Sequence, residues 1–278
     1  MIVLDCAGRT LDLSRPSVMG ILNVTPDSFS DGGVFVALDQ SLKRAREMAE
    51  EGATIIDVGG ESTRPGARLV GEQEELDRVI PVISAIAGEL PVTISIDTSK
   101  PLVMREAAAA GAGMINDVMG LRMPGAIEAA AEIGLPTCLM HMQGSPGSMQ
   151  KSPRYEDVVE DLMDFFSARL KACEEAGLSR DRLLLDPGFG FGKTLAHNLS
   201  LLKHLPRFAD MGLPLLVGIS RKSMIGALLD DRPTEGRLYG SLAAAVVAVE
   251  RGASVIRTHD VKPTVDALRI VSAVCEAE

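Results

Sequence analysis

Met19-Gly20-Ile21-Leu22-Asn23-Val24-Thr25-Pro26-Asp27-Ser28-Phe29-Ser30-Asp31-Gly32-Gly33 is a short apolar run that breaks into a polar loop. The run reads as a strand and ends at Asn23. The loop carries oxygen atoms on Thr25, Asp27, Ser28, Ser30 and Asp31 that can hold anions, water or a hard metal ion. Loops with this much specific chemistry are usually functional. The stretch also bears on the fold. Two architectures alternate strand and helix throughout, and the open doubly wound sheet carries a Gly-x-Gly-x-x-Gly turn after its first strand. That turn is absent here, which favours a closed barrel.

Seven further runs support the same architecture. With Val18–Asn23 they are Thr54–Val58, Val92–Asp97, Gly113–Asp117, Thr137–His141, Leu183–Asp186, Leu215–Ile219 and Ser254–Thr258. Each is continuously apolar, as strands covered on both faces are. Between them lie amphipathic helical patterns: Leu38–Glu51, Glu72–Ala87, Lys100–Ala110, Ala126–Ile133, Tyr155–Ala176, Leu199–Phe208, Ser223–Leu229 with Gly240–Glu250, and Lys262–Cys275. Eight strand–helix units predict an α/β fold, a (β/α)8 TIM barrel. Ile2–Asp5 and Thr10–Leu13 predict a short N-terminal β-hairpin capping the barrel bottom. No linker or charge block divides residues 1–278, so one barrel domain is expected.

Composition narrows the function. The net charge of −10 argues against nucleic acid, which needs a basic surface. Trp is absent and aromatic content is 3%, so base-stacking platforms are not expected. Cys6, Cys138, Cys173 and Cys275 form no Cys-x-x-Cys pair, as in a reduced protein with core cysteines. No basic-then-apolar leader is visible. The longest apolar run, Leu242–Val249, falls far short of the roughly 20 residues that span a bilayer. A soluble, cytoplasmic protein is expected.

In such a barrel the chemistry sits at the C-terminal ends of the strands. The polar residues there are Asn23; Asp57 with Glu61-Ser62-Thr63-Arg64; Asp97; Asn116-Asp117; His141 with Gln143; Asp186; Ser220-Arg221-Lys222-Ser223; and Arg257, His259 and Asp260. Chance would scatter them over both rims, so the chain reads as an enzyme. Asp97, Asn116 and Asp186 suit a heterocycle with a row of N–H donors and a carbonyl, such as the edge of a 2-amino-4-oxo-pterin. The alternative is that these carboxylates pair internally with Arg or Lys. Arg64, Arg257 and His259, beside Asn23 and Thr63, suit a diphosphate. Asn23 and the first-loop oxygens can complete a Mg²⁺ shell. Ser220-Arg221-Lys222-Ser223 opens a helix, where an anion can bind or Ser223 can serve as N-cap.

Two features invite misreading. Asp186-Pro187-Gly188-Phe189-Gly190-Phe191-Gly192-Lys193-Thr194 looks like a nucleotide-binding P-loop, but its first Gly lies one position too close to Gly192-Lys193-Thr194. It reads better as a mobile Gly-rich loop presenting Phe191 to an apolar ring. His141 reads as a satisfied rim histidine, with Met140 beside it as a pocket wall.

These motifs, in order and across essentially the whole chain, resemble the dihydropteroate synthase family. The resemblance rests on Gly20–Ser30, Gly59-Gly60-Glu61-Ser62-Thr63-Arg64-Pro65-Gly66, Ser95-Ile96-Asp97-Thr98, Ile115-Asn116-Asp117, Leu139-Met140-His141-Met142, Leu185–Lys193, Gly218–Ser223 and Arg257-Thr258-His259-Asp260. It implies condensation of 6-hydroxymethyl-7,8-dihydropterin pyrophosphate with p-aminobenzoate to give 7,8-dihydropteroate and pyrophosphate, a step of folate biosynthesis. By the family pattern, Asp97, Asn116, Met140, Asp186, Lys222 and Arg257 hold the pterin. Asn23, Thr63, Arg64, Arg257 and His259 hold the pyrophosphate, with Mg²⁺ bridging at Asn23. Phe29, Thr63, Pro65, Phe191, Lys222 and Ser223 hold p-aminobenzoate. Asp97, Lys222, Arg257 and His259 are the expected catalytic set, and sulfonamides should compete at the aminobenzoate site. The family pattern also implies a homodimer. Two rivals stay open: a pterin-dependent methyltransferase domain, and a catalytically idle pterin-binding paralogue.

Overall fold

Alternating apolar strands and amphipathic helices close into a barrel. The computed structural model describes residues 2–24, 33–62, 68–145 and 147–277, with only the backbone of 33–37. Its strands are β1 (Val3–Cys6), β2 (Arg9–Asp12), β3 (Ser17–Asn23), β4 (Ile55–Gly59), β5 (Thr93–Asp97), β6 (Met114–Asp117), β7 (Thr137–Met140), β8 (Leu183–Asp186), β9 (Leu215–Val217) and β10 (Ala253–Thr258). β3 to β10 form a closed parallel barrel in sequence order, β10 pairing back onto β3. The helices are α1 (Gly33–Glu50), α2 (Glu72–Glu89), α3 (Pro101–Ala109), α4 (Ala126–Ile133), α5 (Val158–Glu175), α6 (Leu195–Lys203), α7 (Leu205–Ala209), α8 (Ser223–Leu228), α9 (Leu238–Glu250) and α10 (Val261–Cys275).

β1 and β2 pair antiparallel, Val3 opposite Asp12 and Cys6 opposite Arg9. Their Leu4, Cys6 and Leu11, with Leu13, pack against Met19, Ile55, Met114, Cys138, Leu184, Leu216 and Val255. Those seven residues lie in the N-terminal halves of their strands, so the hairpin plugs the bottom as expected. The plug sits close: a Cβ on Gly113 would lie 2.7 Å from the Cys6 carbonyl oxygen. The opposite end stays free for polar side chains.

Most predicted elements are present within a few residues. The expected helix Leu199–Phe208 is instead two, broken at His204. Pro206 stands in the first turn of α7. A proline inside a continuous helix would lose one hydrogen bond and crowd the carbonyl four residues back. α6 also starts earlier than expected, at Leu195. Thr194 Oγ1 accepts from His197 N–H, and Thr194 N–H donates back to His197 Nδ1, both at 3.2 Å. This is a capping box with His in place of the usual Glu or Gln.

Register carries the polar ends to one level. Asn23 pairs with Gly59, Gly59 with Asp97 and Asp97 with Asn116, while Met140 pairs with Asp186. No helix among the described residues is long and apolar enough to cross a membrane.

Candidate active site

Side chains alternate along each strand, so Ile55, Asp57 and Gly59 share one face of β4. Ile55 belongs to the plugged bottom, which places Asp57 inside the barrel one pleat below the rim. Its side chain is fully buried and its Oδ2 accepts from Arg257 Nε at 2.6 Å and from Asn116 Nδ2 at 3.1 Å. Arg257 also donates through Nη2 to Asp97 Oδ2 at 2.8 Å. Arg257 on β10 thus crosses the interior to β4 and β5, and Asn116 on β6 reaches β4. The sequence placed Asp57 among the rim residues and gave it no role. The signal was its phase, in step with Ile55 below and Gly59 above.

The structure therefore gathers Asp97, Asn116 and Arg257 around Asp57, and part of the internal-pairing alternative holds. Asp97 does not present two open carboxylate oxygens, because Arg257 occupies Oδ2. Burial pushes the Asp97 carboxyl up to about 7, with Asp57, Glu75 and Asp117 adding to it against the pull of Arg257. Burial opposes the Arg257 charge, but Asp57 and Asp97 outweigh it and hold the guanidinium above its ordinary pKa. A guanidinium fork can serve two carboxylates in this way.

Asp186, at the end of β8, is 5% exposed and accepts from Gly188 N–H at 2.7 Å. Burial raises its pKa against the pull of Lys222. Burial lowers Lys222 to about 8, Arg257 adding to it while Asp186 opposes it. Lys222 Nζ donates to the Phe189 carbonyl and lies 4.4 Å from the centre of the Phe191 ring. Met140, 3% exposed, packs with Met142 and Met149 and, beside them, Phe191. An acidic side, an ammonium and an apolar side thus lie together at this end of the barrel. Asp117 is not part of it. Its carboxylate accepts from Ser99 Oγ, Met119 N–H and Leu121 N–H and shapes the loop after β6.

The Gly-rich loop differs from the mobile segment expected. Lys193, 3% exposed, donates into a ring of acceptors: His141 Nδ1 at 3.0 Å, and the carbonyls of His141, Gly188 and Phe191 at 3.2, 2.9 and 3.0 Å. Asn198 Oδ1 accepts from Gly190 N–H at 2.8 Å, and Tyr155 donates to the Gly192 carbonyl at 2.7 Å. Lys193 thus ties the loop from inside, where a P-loop lysine would face phosphate. Burial, then the Lys193 and Arg122 charges, push His141 down to about 2, so it is a neutral acceptor. Gly188 has φ +68, and a Cβ there would lie 2.0 Å from the His141 carbonyl oxygen. We expect Gly188→Ala to lower stability by at least about 2 kcal/mol, from strain and a backbone clash. Urea denaturation checks this, and an unchanged midpoint would refute it.

On the other side, the Ser220–Ser223 turn is fixed by Arg221. Its φ is +57, its N–H donates to Ser241 Oγ at 2.9 Å, and its guanidinium pairs with Asp260. Ser223 is exposed and is the first helical residue of α8, with Lys222 in the N-cap position, so Ser223 is not the N-cap. His259 Nδ1 lies 3.1 Å from Ser220 Oγ. Asn23 is exposed at the end of β3, near Gly59 and Asp97. Among the described residues no three His, Cys, Asp or Glu side chains cluster as a metal cage. A lone amide oxygen such as Asn23 fits Mg²⁺, which keeps waters and takes further oxygens from substrate phosphates. Phe29, Thr63, Arg64 and Pro65 lie outside the described residues.

Comparison with known proteins decides the family. The profile of the "Pterin binding enzyme" family matches residues 19–259. The chain is 60% identical over 271 residues to dihydropteroate synthase of Escherichia coli strain K12, covering 98% of this chain and 96% of the relative. The chain belongs to the dihydropteroate synthases. Solved structures agree. A Yersinia pestis dihydropteroate synthase in a sulfonamide drug complex superposes with a TM-score of 0.94 at 58% identity, over 99% of this chain and 100% of that one. The Xanthomonas albilineans dihydropteroate synthase with 4-aminobenzoic acid superposes with a TM-score of 0.94 at 52% identity, over 99% of each chain. As a dihydropteroate synthase the chain is a transferase on a TIM barrel.

Proposed function

We propose that this pocket condenses 6-hydroxymethyl-7,8-dihydropterin pyrophosphate with p-aminobenzoate, releasing pyrophosphate and 7,8-dihydropteroate for folate biosynthesis. The observation that carries it is the convergence of Asp97 and Asp186 on Lys222, with Asn116 opposite Asp97, at the C-terminal rim. Asn116 offers both a donor and an acceptor to the pterin edge, and Asp186 and Asp97 accept from its N–H groups. Lys222 meets a ring nitrogen or carbonyl, Met140 lines one side, and Arg257 supports the ring face. Asn23, Thr63, Arg64, Arg257 and His259 take the diphosphate. A Mg²⁺ held at Asn23 and by the diphosphate oxygens would supply further positive charge to the leaving group. Phe191, with Phe29, Thr63 and Pro65, receives the aminobenzoate ring, and Lys222 and Ser223 meet its carboxylate.

The chemistry follows from these charges. Arg257 and His259 stabilise the negative charge gathering on the departing diphosphate. The methylene carbon becomes cationic and shares that charge with the dihydropterin ring, and the Asp97 carboxylate favours it. An aryl amine is neutral at pH 7 and attacks unaided, so the step is SN1-like and needs no general base. Excluding water keeps the cation for the amine. Sulfonamides compete at the aminobenzoate site. We further propose a cytoplasmic homodimer.

The test is pyrophosphate release by the purified protein, with the dihydropterin pyrophosphate and with or without Mg²⁺ and p-aminobenzoate. Release that depends on Mg²⁺, with dihydropteroate formed when p-aminobenzoate is present, supports the reading. Tight pterin binding without release would favour an idle paralogue. The rate should also be bell-shaped in pH. Activity falls below about pH 7 as Asp97 takes up a proton, and above about pH 8 as Lys222 loses one. Lys222→Arg should carry the alkaline limb out of range, and a limb that stays would remove Lys222 as its source.

A further inference from the structure

The turn that follows β9 carries a residue that such turns do not select. Lys222 N–H donates to the Ile219 carbonyl at 3.1 Å and closes the turn from Ile219 to Lys222. Of the central residues, Ser220 and Arg221, only Arg221 has a positive φ, +57. That is the pattern of a type II turn, whose third position takes Gly or Asn. A residue with a Cβ disfavours this backbone by roughly 5- to 30-fold. Flipping the Ser220–Arg221 peptide would relax Arg221 to the negative φ of a type I turn. Contacts from outside the turn must therefore oppose the flip.

Helix α9 supplies them. The Arg221 N–H belongs to the peptide that would flip, and it donates to Ser241 Oγ at 2.9 Å. Ser241 gives its own proton to the Arg237 carbonyl, one turn back in the chain, at 2.8 Å. Both directions are settled by the partners, since an N–H only donates and a carbonyl only accepts. Ser241 is 7% exposed, so water has little access to take its place. Arg237 Nη1 donates to the Arg221 carbonyl at 2.9 Å, and Arg221 Nε donates to Asp260 Oδ2 at 2.9 Å. Backbone strain persists only where surrounding contacts hold it, and such sites cluster where function needs a fixed geometry.

We propose that Ser241 is a positioning residue that latches the Ser220–Arg221 peptide and through it aims Lys222 and Ser223. Lys222 is the last residue of the turn, and Ser223 opens α8. The Lys222 ammonium reaches the Phe189 carbonyl and the Phe191 ring from there. A flip of the peptide just before Arg221 changes the direction in which both side chains leave the turn. The catalytic half of this inference rests on the function proposed above, where Lys222 meets the pterin and Lys222 and Ser223 meet the aminobenzoate. The latch itself stands on the hydrogen bonds.

A double-mutant cycle with crystal structures tests both halves. Ser241→Ala removes the acceptor and keeps a residue that suits a helix. Its kcat/KM for p-aminobenzoate should fall roughly two- to tenfold, the scale of one hydrogen bond. In the Arg221→Gly background a positive φ carries no steric cost, so there Ser241→Ala should change kcat/KM by less than about twofold. A lost helix contact of merely structural importance would cost the same in both backgrounds. Crystals of the Ser241→Ala protein should show Arg221 at negative φ or in two conformers. Equal losses in both backgrounds, or Arg221 unmoved at positive φ, overturn the inference. A flipped Arg221 with unchanged kcat/KM overturns the aiming of Lys222 and Ser223. The crystal structures need no substrate. A parent protein without turnover would therefore refute the function proposed above, and the φ of Arg221 would still decide the latch. Thermal melts of the variants separate each result from misfolding.

Discussion

Arg257→Ala should lose on the order of 10³-fold in kcat/KM and melt at a clearly lower temperature. Both losses come from one side chain. Arg257 holds Asp57 at 2.6 Å and Asp97 at 2.8 Å inside the barrel. Removing it leaves two carboxylates buried without their cation. Breaking a buried ion pair from one side costs about 3–5 kcal/mol, because a charge is left uncompensated. The catalytic loss has a different origin, the missing positive charge where the diphosphate departs. The two separate in a double variant. Asp57→Asn added to Arg257→Ala removes one orphaned charge and should recover much of the melting temperature. It cannot restore the rate. Contacting residues couple in this way, and a double-mutant cycle reads the coupling directly. An Arg257→Ala enzyme of normal stability would refute the ion-pair account, and one of normal kcat/KM would refute its role in catalysis.

The barrel was legible because each strand is apolar on both faces and each polar group falls at the same end of its strand. Composition could not mark the break at His204, because the helical pattern continues through Pro206; only the local effect of the proline ends it. The site was legible as a set of residues rather than as a network. Asp97, Asn116, Asp186 and Lys222 were each singled out by position, but which carboxylate meets which cation depends on barrel closure. Asp57 lies 200 residues from Arg257 in sequence and 2.6 Å away in space. No local pattern records that pairing. Lys193 was hidden differently. Its neighbours Gly188, Gly190 and Gly192 all have positive φ and turn the loop inward, so that the carbonyls of Gly188 and Phe191 reach its ammonium. A sequence reader meets those glycines first and thinks of phosphate.

Asp97→Asn should separate activity from stability in the opposite sense to Arg257→Ala. The amide has nearly the shape of the carboxylate, and its oxygen can still accept from Arg257. What it lacks is the negative charge beside the carbon that becomes cationic. Electrostatic groups aimed at developing charge are worth about 10²–10³-fold in kcat, and a fall of that size is expected. Pterin affinity should change less, because Asn116, Asp186 and Lys222 still meet the ring. Stability should hold or rise. Burial and the acidic neighbours Asp57, Glu75 and Asp117 push the Asp97 carboxyl up to about 7, so the folded protein holds this charge against resistance. For a carboxylate with a raised folded pKa, the stability cost grows as pH rises through its ordinary value toward the folded one, and is fully present above that. Asn carries no such cost, so the gain in melting temperature should appear above pH 7 and vanish near pH 4. The acid limb of the pH–rate profile should disappear along with the carboxyl. Single-turnover rates and melts at both pH values read these effects together. An unchanged rate would remove Asp97 from the chemistry, and a fall in melting temperature as large as that of Arg257→Ala would show that its charge serves the fold.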